Sequence, residues 1–238
     1  MTEPIQDAHA KALRMFDSST ISDVIESFSV RDRTEGFCGA EVRCLFPQLG
    51  TMVGHAVTVQ IETTIESTRP PVRSNDLWDT VFESPKPSVL VFEHVAHDID
   101  RSCCFGGNFA KLATKLGVVG LVTNAGIRDL QEAEPLGFHY FARGAVTSHG
   151  KYHFLDIGKP VIVSGLRVNP GDLIVGDLNG VVSIPPEIDL DELIKRANDM
   201  VKAQVELHAV MDDPRFDWNR IRPHLSLSMW DAIRRSYE

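Results

Sequence analysis

Residues 105 to 132 hold the side chains best suited to chemistry. Phe105-Gly106-Gly107-Asn108 leads into FAKLATKL, then Gly117, the apolar run VVGLVTN, Ala125-Gly126-Ile127, and finally Arg128-Asp129-Leu130-Gln131-Glu132. Two glycines before a helix leave backbone N–H groups free to meet a carboxylate or phosphate. Gly106, Gly107, Asn108 and Phe109 are therefore candidate anion-binding positions. A cation and two carboxylates past a strand end can hold a divalent metal and a second anionic group. Asp129 is the candidate direct metal ligand. Glu132, three residues on, shares its face if 128–134 is helical. Arg128 offers a planar fork to a carboxylate. Arg128 and Asp129 are the candidate catalytic pair.

The elements that must position these groups are legible as periodicity. Residues 7–16 and 21–28 show helical spacing, the second with Thr20 or Ser22 as cap. Residues 52–61 (MVGHAVTVQI) and 88–92 (SVLVF) read as strands, and 63–75, with Pro70-Pro71, as a loop. Leu77 to Phe82 suits a short helix. The helix 108–116 puts Phe109, Leu112, Ala113 and Leu116 on one face, and Gly117 is placed to end it in the left-handed conformation. VVGLVTN is a buried strand. From 138 to 184 short strands and tight turns take over, with Asn169-Pro170-Gly171-Asp172 as one turn and Asn179-Gly180 in a hairpin. A long amphipathic helix follows, with Leu190, Leu193, Ile194, Ala197, Val201, Val205 and His208 on one face. Pro214 stops it, and Phe216, Trp218 and Trp230 are spread along the tail. The expected organisation is one mixed α/β domain over 1–190, with a C-terminal helix and tail over 191–238 packed on the same or a neighbouring subunit.

Bulk composition sets limits. The 238 residues suffice for a full core. A net charge of −9 with no basic tract argues against nucleic acid as partner. No apolar run approaches a membrane span. The four cysteines form no C-x-x-C pair, and the N-terminus lacks the apolar core of a signal peptide, so the expected compartment is the cytoplasm. His94-x-x-His97, followed by Asp98 and Asp100, is not the i, i+4 spacing of a helical zinc pair. His55 in its valine-rich strand reads as structural, Cys103-Cys104 as buried small hydrophobes that could border the pocket, and Asp177 as turn chemistry. The plain reading of Arg128-Asp129 is a capping carboxylate with a surface ion pair.

From Gly107 to Glu132 the chain resembles the RraA-like family, which contains regulators of ribonuclease activity and metal-dependent class II pyruvate aldolases. Arg128-Asp129-x-x-Glu132 matches the aldolase branch. Thr20-Ile21-Ser22-Asp23, Gly54-x-Ala56-x-Thr58 and the stretch Pro170 to Pro185 support the match, so the resemblance covers roughly residues 18–190. It implies a mixed β-core of the swivelling β/β/α type flanked by helices, and a homotrimer or hexamer with sites between subunits. It also implies Mg²⁺ or Mn²⁺ as cofactor and a small 2-oxo acid as substrate. Cleavage of 4-hydroxy-4-methyl-2-oxoglutarate or 4-carboxy-4-hydroxy-2-oxoadipate, or decarboxylation of oxaloacetate, would release pyruvate as its enolate. Asn108 and Phe109 would hold the pyruvate carboxylate through backbone N–H groups. The general base is not visible in the sequence, and a metal-bound water is the economical assignment. In one departure, Gly107 stands where aldolase members often place an acid. The competing reading is a non-catalytic regulator that binds a protein partner such as an RNA-degrading enzyme; that branch tends to lose the Asp that Asp129 retains. A demethylmenaquinone methyltransferase is disfavoured by the absence of a glycine-rich cofactor loop followed by an acidic strand end.

Overall fold

The buried apolar runs form the centre of one mixed sheet. The structure is a computed structural model, and it describes residues 4–63, 67, 69–95 and 98–222. In chain order its main elements are α1 (Asp7–Leu13), α2 (Ser18–Glu26), β1 (Arg43–Cys44), β2 (Met52–Thr63), α3 (Ser74–Glu83), β3 (Ser88–His94), α4 (Gly107–Lys115), β4 (Val118–Thr123), β5 (Gly126–Ile127), α5 (Leu130–Ala133), β6 (His139–Ala142), β7 (Gly144–Ala145), β8 (Tyr152–Ile157), β9 (Val161–Val163), β10 (Leu166–Val168), β11 (Leu173–Asp177), β12 (Gly180–Ile184) and α6 (Leu190–Met211). The large sheet runs β1-β6-β4-β3-β2-β11-β12. Strands β2, β3, β4 and β6 are parallel neighbours. The long β2 pairs antiparallel with β11 through its first half and with β8 through its second. This bends the sheet toward a barrel, the mixed core expected from the family resemblance.

Three apolar clusters fill the layers. Helices α3 and α4 cover one face, burying Leu77, Val81, Ala110 and Ala113 against Leu90, Phe92 and Leu121. The opposite face packs Val89, Val91 and Val122 against Val161, Val163 and Val168 of the β9–β10 hairpin. Strand β3 is thus covered on both sides, which is why SVLVF reads as an unbroken apolar run. Helices α1, α2 and α6 cover β11 and β12 around Ile21, Val24, Leu193 and Ala197.

Several elements differ from the sequence expectation, each for a local reason. Helix α1 stops at Leu13 rather than 16. Helix α2 is capped by Asp17, whose carboxylate accepts from Thr20 N–H at 2.6 Å, and not by Thr20 or Ser22. Asp177 further fixes this start by accepting from both Ser18 N–H and Ser18 Oγ. On α4 the buried stripe passes through Ala110 and Ala113, while Leu112 faces solvent; alanines let the helix lie close to the sheet. On α6 the buried residues are Leu193, Ala197 and Met200, whereas Val205 is 61% exposed. The apolar stripe therefore outruns the surface available to cover it. The β11–β12 turn centres on Leu178-Asn179, because Asp177 accepts the Asn179 N–H and pairs with Gly180. Gly117 ends α4 with φ +80°, as its spacing predicts. Of the tail aromatics, Phe216 and Trp218 are exposed and Trp230 lies outside the described residues. No helix among the described residues is long and apolar enough to cross a membrane.

Candidate functional site

A small cavity opens beyond the carboxyl ends of β3 and β4, where open parallel sheets commonly place ligands. Two backbone segments are laced together to build it. Gly126 N–H donates to the Ser102 carbonyl at 2.9 Å and Arg128 N–H to the Phe105 carbonyl at 3.1 Å. The stretch before α4 therefore runs beside the stretch after β4, and residues about twenty positions apart become neighbours. Phe105, almost wholly buried, anchors this junction by packing on Phe92, Phe109 and Phe138 at 5.6–5.8 Å between ring centroids.

The cavity is lined by Cys104, Phe105, Gly106, Asn108, Phe109, Arg128, Asp129, His149 and Tyr152, with a volume of about 120 Å³. That is somewhat below the ~150 Å³ that admits a benzene ring, so it suits an acid of three or four carbons at its inner end. Of the residues singled out by sequence, Gly106, Asn108, Phe109, Arg128 and Asp129 meet here. Gly107 and Glu132 sit together directly behind them.

Asp129 has a left-handed backbone, φ 59° and ψ 45°, immediately before the short α5. It is therefore not on a helical face with Glu132, because the chain turns sharply between them. Non-glycine residues visit this region rarely, Asp more readily than most, and such strain concentrates at functional sites. The turn aims the carboxylate at α4, where Asp129 Oδ2 accepts from Gly107 N–H at 3.0 Å and lies 3.3 Å from Arg128 Nε. Both side chains of this ion pair are about one third exposed, open to the cavity.

The two glycines are required for room rather than for backbone angle. Gly106 is extended, at φ −154°. A Cβ there would overlap the Asp129 carboxylate and crowd Arg128, and a Cβ on Gly107 would overlap the Glu132 carboxylate. Glu132 thus fills the space in which a side chain at 107 would begin. With Gly107 N–H committed to Asp129, the N–H groups of Asn108 and Phe109 remain in the first turn of α4 without intrahelical partners.

Among the described residues no three His, Cys, Asp or Glu side chains converge as a metal cluster. Asp129 is the carboxylate that lines the cavity, and Glu132 lies next to Gly107 behind it. That fits a hard, hydrated dication such as Mg²⁺, which takes one or two carboxylates and keeps several waters, better than zinc.

Sequence reasoning missed two contributors. His149 and Tyr152 close the outer wall from the β7–β8 connection and the start of β8. Nothing marked His149 among nine histidines. Cys104, expected as a buried small hydrophobe that could border the pocket, does line it, with its Sγ 3.4 Å from His94 Nε2. Burial pushes the Cys104 thiol well above its ordinary value, helped by neighbouring Cys103, and pushes His94 down to about 4. Cys104 lines the cavity as a neutral thiol, and the neutral His94 ring contacts it. His97 lies outside the described residues. His55 is structural, with Nε2 accepting from Ile5 N–H at 2.9 Å and Nδ1 donating to the Gly171 carbonyl at 3.0 Å.

Fold and site together define a mixed α/β protein with a small cavity at the carboxyl ends of its parallel strands. The chain belongs to the RraA-like family (Aldolase/RraA), whose model matches residues 18–183. A putative 4-hydroxy-4-methyl-2-oxoglutarate aldolase of Halalkalibacterium halodurans is 32% identical over 135 residues, covering 56% of this chain but only 63% of that protein. An uncharacterized protein of Methanocaldococcus jannaschii is 30% identical over 187 residues, covering 75% of this chain and 82% of its own length. In fold the chain is similar to the crystal structure of RraAS2 from Streptomyces coelicolor, described as an unusual member of the RNase ES inhibitor RraA protein family. The TM-score is 0.67 at 21% identity, over 88% of this chain and 98% of that one.

Proposed function

We propose that the protein is a carbon–carbon lyase that cleaves a small 2-oxo acid through a pyruvate enolate, by aldol cleavage of a 4-hydroxy-4-methyl-2-oxoglutarate-type substrate, by decarboxylation of oxaloacetate, or both. The observation that carries this reading is the Arg128–Asp129 pair facing the first turn of α4 across a cavity sized for a three- or four-carbon acid. The aldolase name of the Halalkalibacterium halodurans relative agrees with it.

In this reading the substrate carboxylate lies against the N–H groups of Asn108 and Phe109, where the helix start favours negative charge. Gly106, lacking a side chain, leaves the room that the Asp129 carboxylate and Arg128 occupy. Arg128 points its guanidinium at the C2 oxygen, which becomes negative as the enolate forms, and such preorganised charge commonly supplies the largest share of catalysis. Asp129 and Glu132 would hold a divalent ion, which when bound supplies Lewis-acid stabilisation of the same oxygen. Glu132 also supplies an acid beside Gly107, where this chain lacks one of its own. Phe105 and Phe109 exclude water from the inner end, strengthening each of these interactions.

The test is pyruvate release from oxaloacetate and from 4-hydroxy-4-methyl-2-oxoglutarate, with Mg²⁺ or Mn²⁺ and again with EDTA, corrected for decarboxylation by metal alone. EDTA-sensitive release from either substrate is expected. Release from oxaloacetate alone narrows the chemistry to decarboxylation. No release from either refutes this assignment and turns attention to a protein-binding regulator, for which Arg128 and Asp129 would have no catalytic task.

A further inference from the structure

The proposed reaction needs a group that takes a proton from the substrate and returns it, and apart from the metal-bound water named above, the side chains of the inner wall do not offer one. Arg128 keeps its proton throughout the working range. Asp129 is engaged by Gly107 N–H and Arg128. Cys104 and the Tyr152 hydroxyl are both held in their neutral, protonated forms by burial. On the outer wall stands His149, on the connection between β7 and β8.

Its ring is oriented on two sides. Nδ1 lies 2.6 Å from the Gly150 carbonyl oxygen. A carbonyl can only accept, so Nδ1 carries a hydrogen, and in the neutral ring the lone pair is on Nε2. The ring meets Tyr152 edge to face, at 6.1 Å and 87° between planes, and Tyr152 is propped in turn on buried Phe154 at 5.6 Å. Across the cavity are Arg128 and Asp129. A substrate anchored by its C1 carboxylate at the inner end would extend C3 and C4 toward the outer wall.

We propose that His149 is a catalytic residue that carries the proton of this reaction through Nε2. The inference rests on the lyase reading above. In aldol cleavage Nε2 takes the proton of the C4 hydroxyl, the C4–O bond becomes a carbonyl, and the C3–C4 bond breaks with its electron pair entering the C2–C3 enolate. The same proton then passes from Nε2 to C3, giving the methyl group of pyruvate and restoring neutral His149. In decarboxylation Nε2 first takes a proton from solvent; the C3–C4 bond then breaks with loss of CO₂, its electron pair enters the C2–C3 enolate, and C3 takes the proton from Nε2.

The experiment uses the full chain with Mg²⁺, as wild type, His149→Ala and His149→Gln. Proton NMR in D₂O follows exchange of the pyruvate methyl protons, which isolates the proton step from carbon–carbon cleavage. Titration with oxalate, a planar mimic of the enolate, reads the rest of the site. Exchange should fall about 10²–10⁴-fold in both variants, the range for removal of a general acid–base group. Oxalate affinity should stay within about threefold of wild type, and added imidazole should restore part of the exchange in His149→Ala. Exchange within about tenfold of wild type in both variants would overturn the role of His149 and leave the lyase reading standing. Loss of oxalate binding in the variants would overturn it in favour of a binding contact. A wild type that neither binds oxalate nor exchanges pyruvate would bring down the lyase reading itself, and this inference with it.

Discussion

Gly107→Ala separates room from backbone freedom at the site. Gly107 opens α4 without a positive φ, so the backbone accepts alanine. Alanine is better than glycine in a helix interior by about 1 kcal/mol, and by less in the first turn. The new methyl carbon would overlap the carboxylate and crowd the Cβ of Glu132. Glu132 is exposed, so its side chain swings into water with little cost to the fold. The melting temperature should therefore stay constant or rise by at most about 4 °C. The site pays instead. With Glu132 displaced, Mn²⁺ affinity measured by calorimetry should drop about 10- to 100-fold, the usual effect of losing a supporting ligand, or about 1.4–2.8 kcal/mol. Glu132→Ala should cost the same, and the double variant no more than either alone. The coupling energy of the cycle then equals the single loss. Losses that add, or a Gly107→Ala protein that binds Mn²⁺ like wild type, would refute the argument that Gly107 exists to seat Glu132.

Asp129→Asn keeps the size of the side chain and removes its charge; EDTA-sensitive turnover should disappear while the circular dichroism spectrum stays unchanged, and retained turnover would remove Asp129 from the metal role. Arg128→Lys keeps the charge but not the fork, and should lower kcat/KM by about 10²-fold or more; normal kinetics would exclude Arg128 from the reacting oxygen. His55→Ala should destabilise by about 2–4 kcal/mol in urea unfolding, from two lost hydrogen bonds and the buried Ile5 N–H and Gly171 carbonyl left unpaired. Acid should destabilise the fold through His94 and His139, both pushed by burial from 6.5 to about 4. The unfolded chain binds these protons first, so stability is intact above pH ~6.5 and falls as pH drops toward 4. The size is up to about 3 kcal/mol for each histidine. His94→Gln or His139→Gln should flatten the slope of stability against pH between 6.5 and 4, and an unaltered slope in both would sink the assignment.

Local pattern made much of this protein legible. SVLVF and VVGLVTN had to be interior strands, because a run apolar on both faces has no surface on which to end. Gly117 had to stop its helix, and Arg128 with Asp129 after a strand end marked two residues that line the cavity before any contact was known. Composition carried the arguments against a nucleic-acid partner. Tertiary structure decided what short-range pattern does not encode. Leu112 and Val205 obey helical periodicity yet face water, because burial depends on whether another element arrives to cover them. Asp129 takes a left-handed turn where a continuous helix would have put it beside Glu132. The outer wall comes from His149 and Tyr152, some twenty residues beyond the motif. The β7–β8 connection brings them back over the cavity, and no spacing rule reports a return path through space. Gly106 and Gly107 show the division most plainly: the sequence records that side chains are missing there, and only the packed structure shows that two carboxylates fill their room.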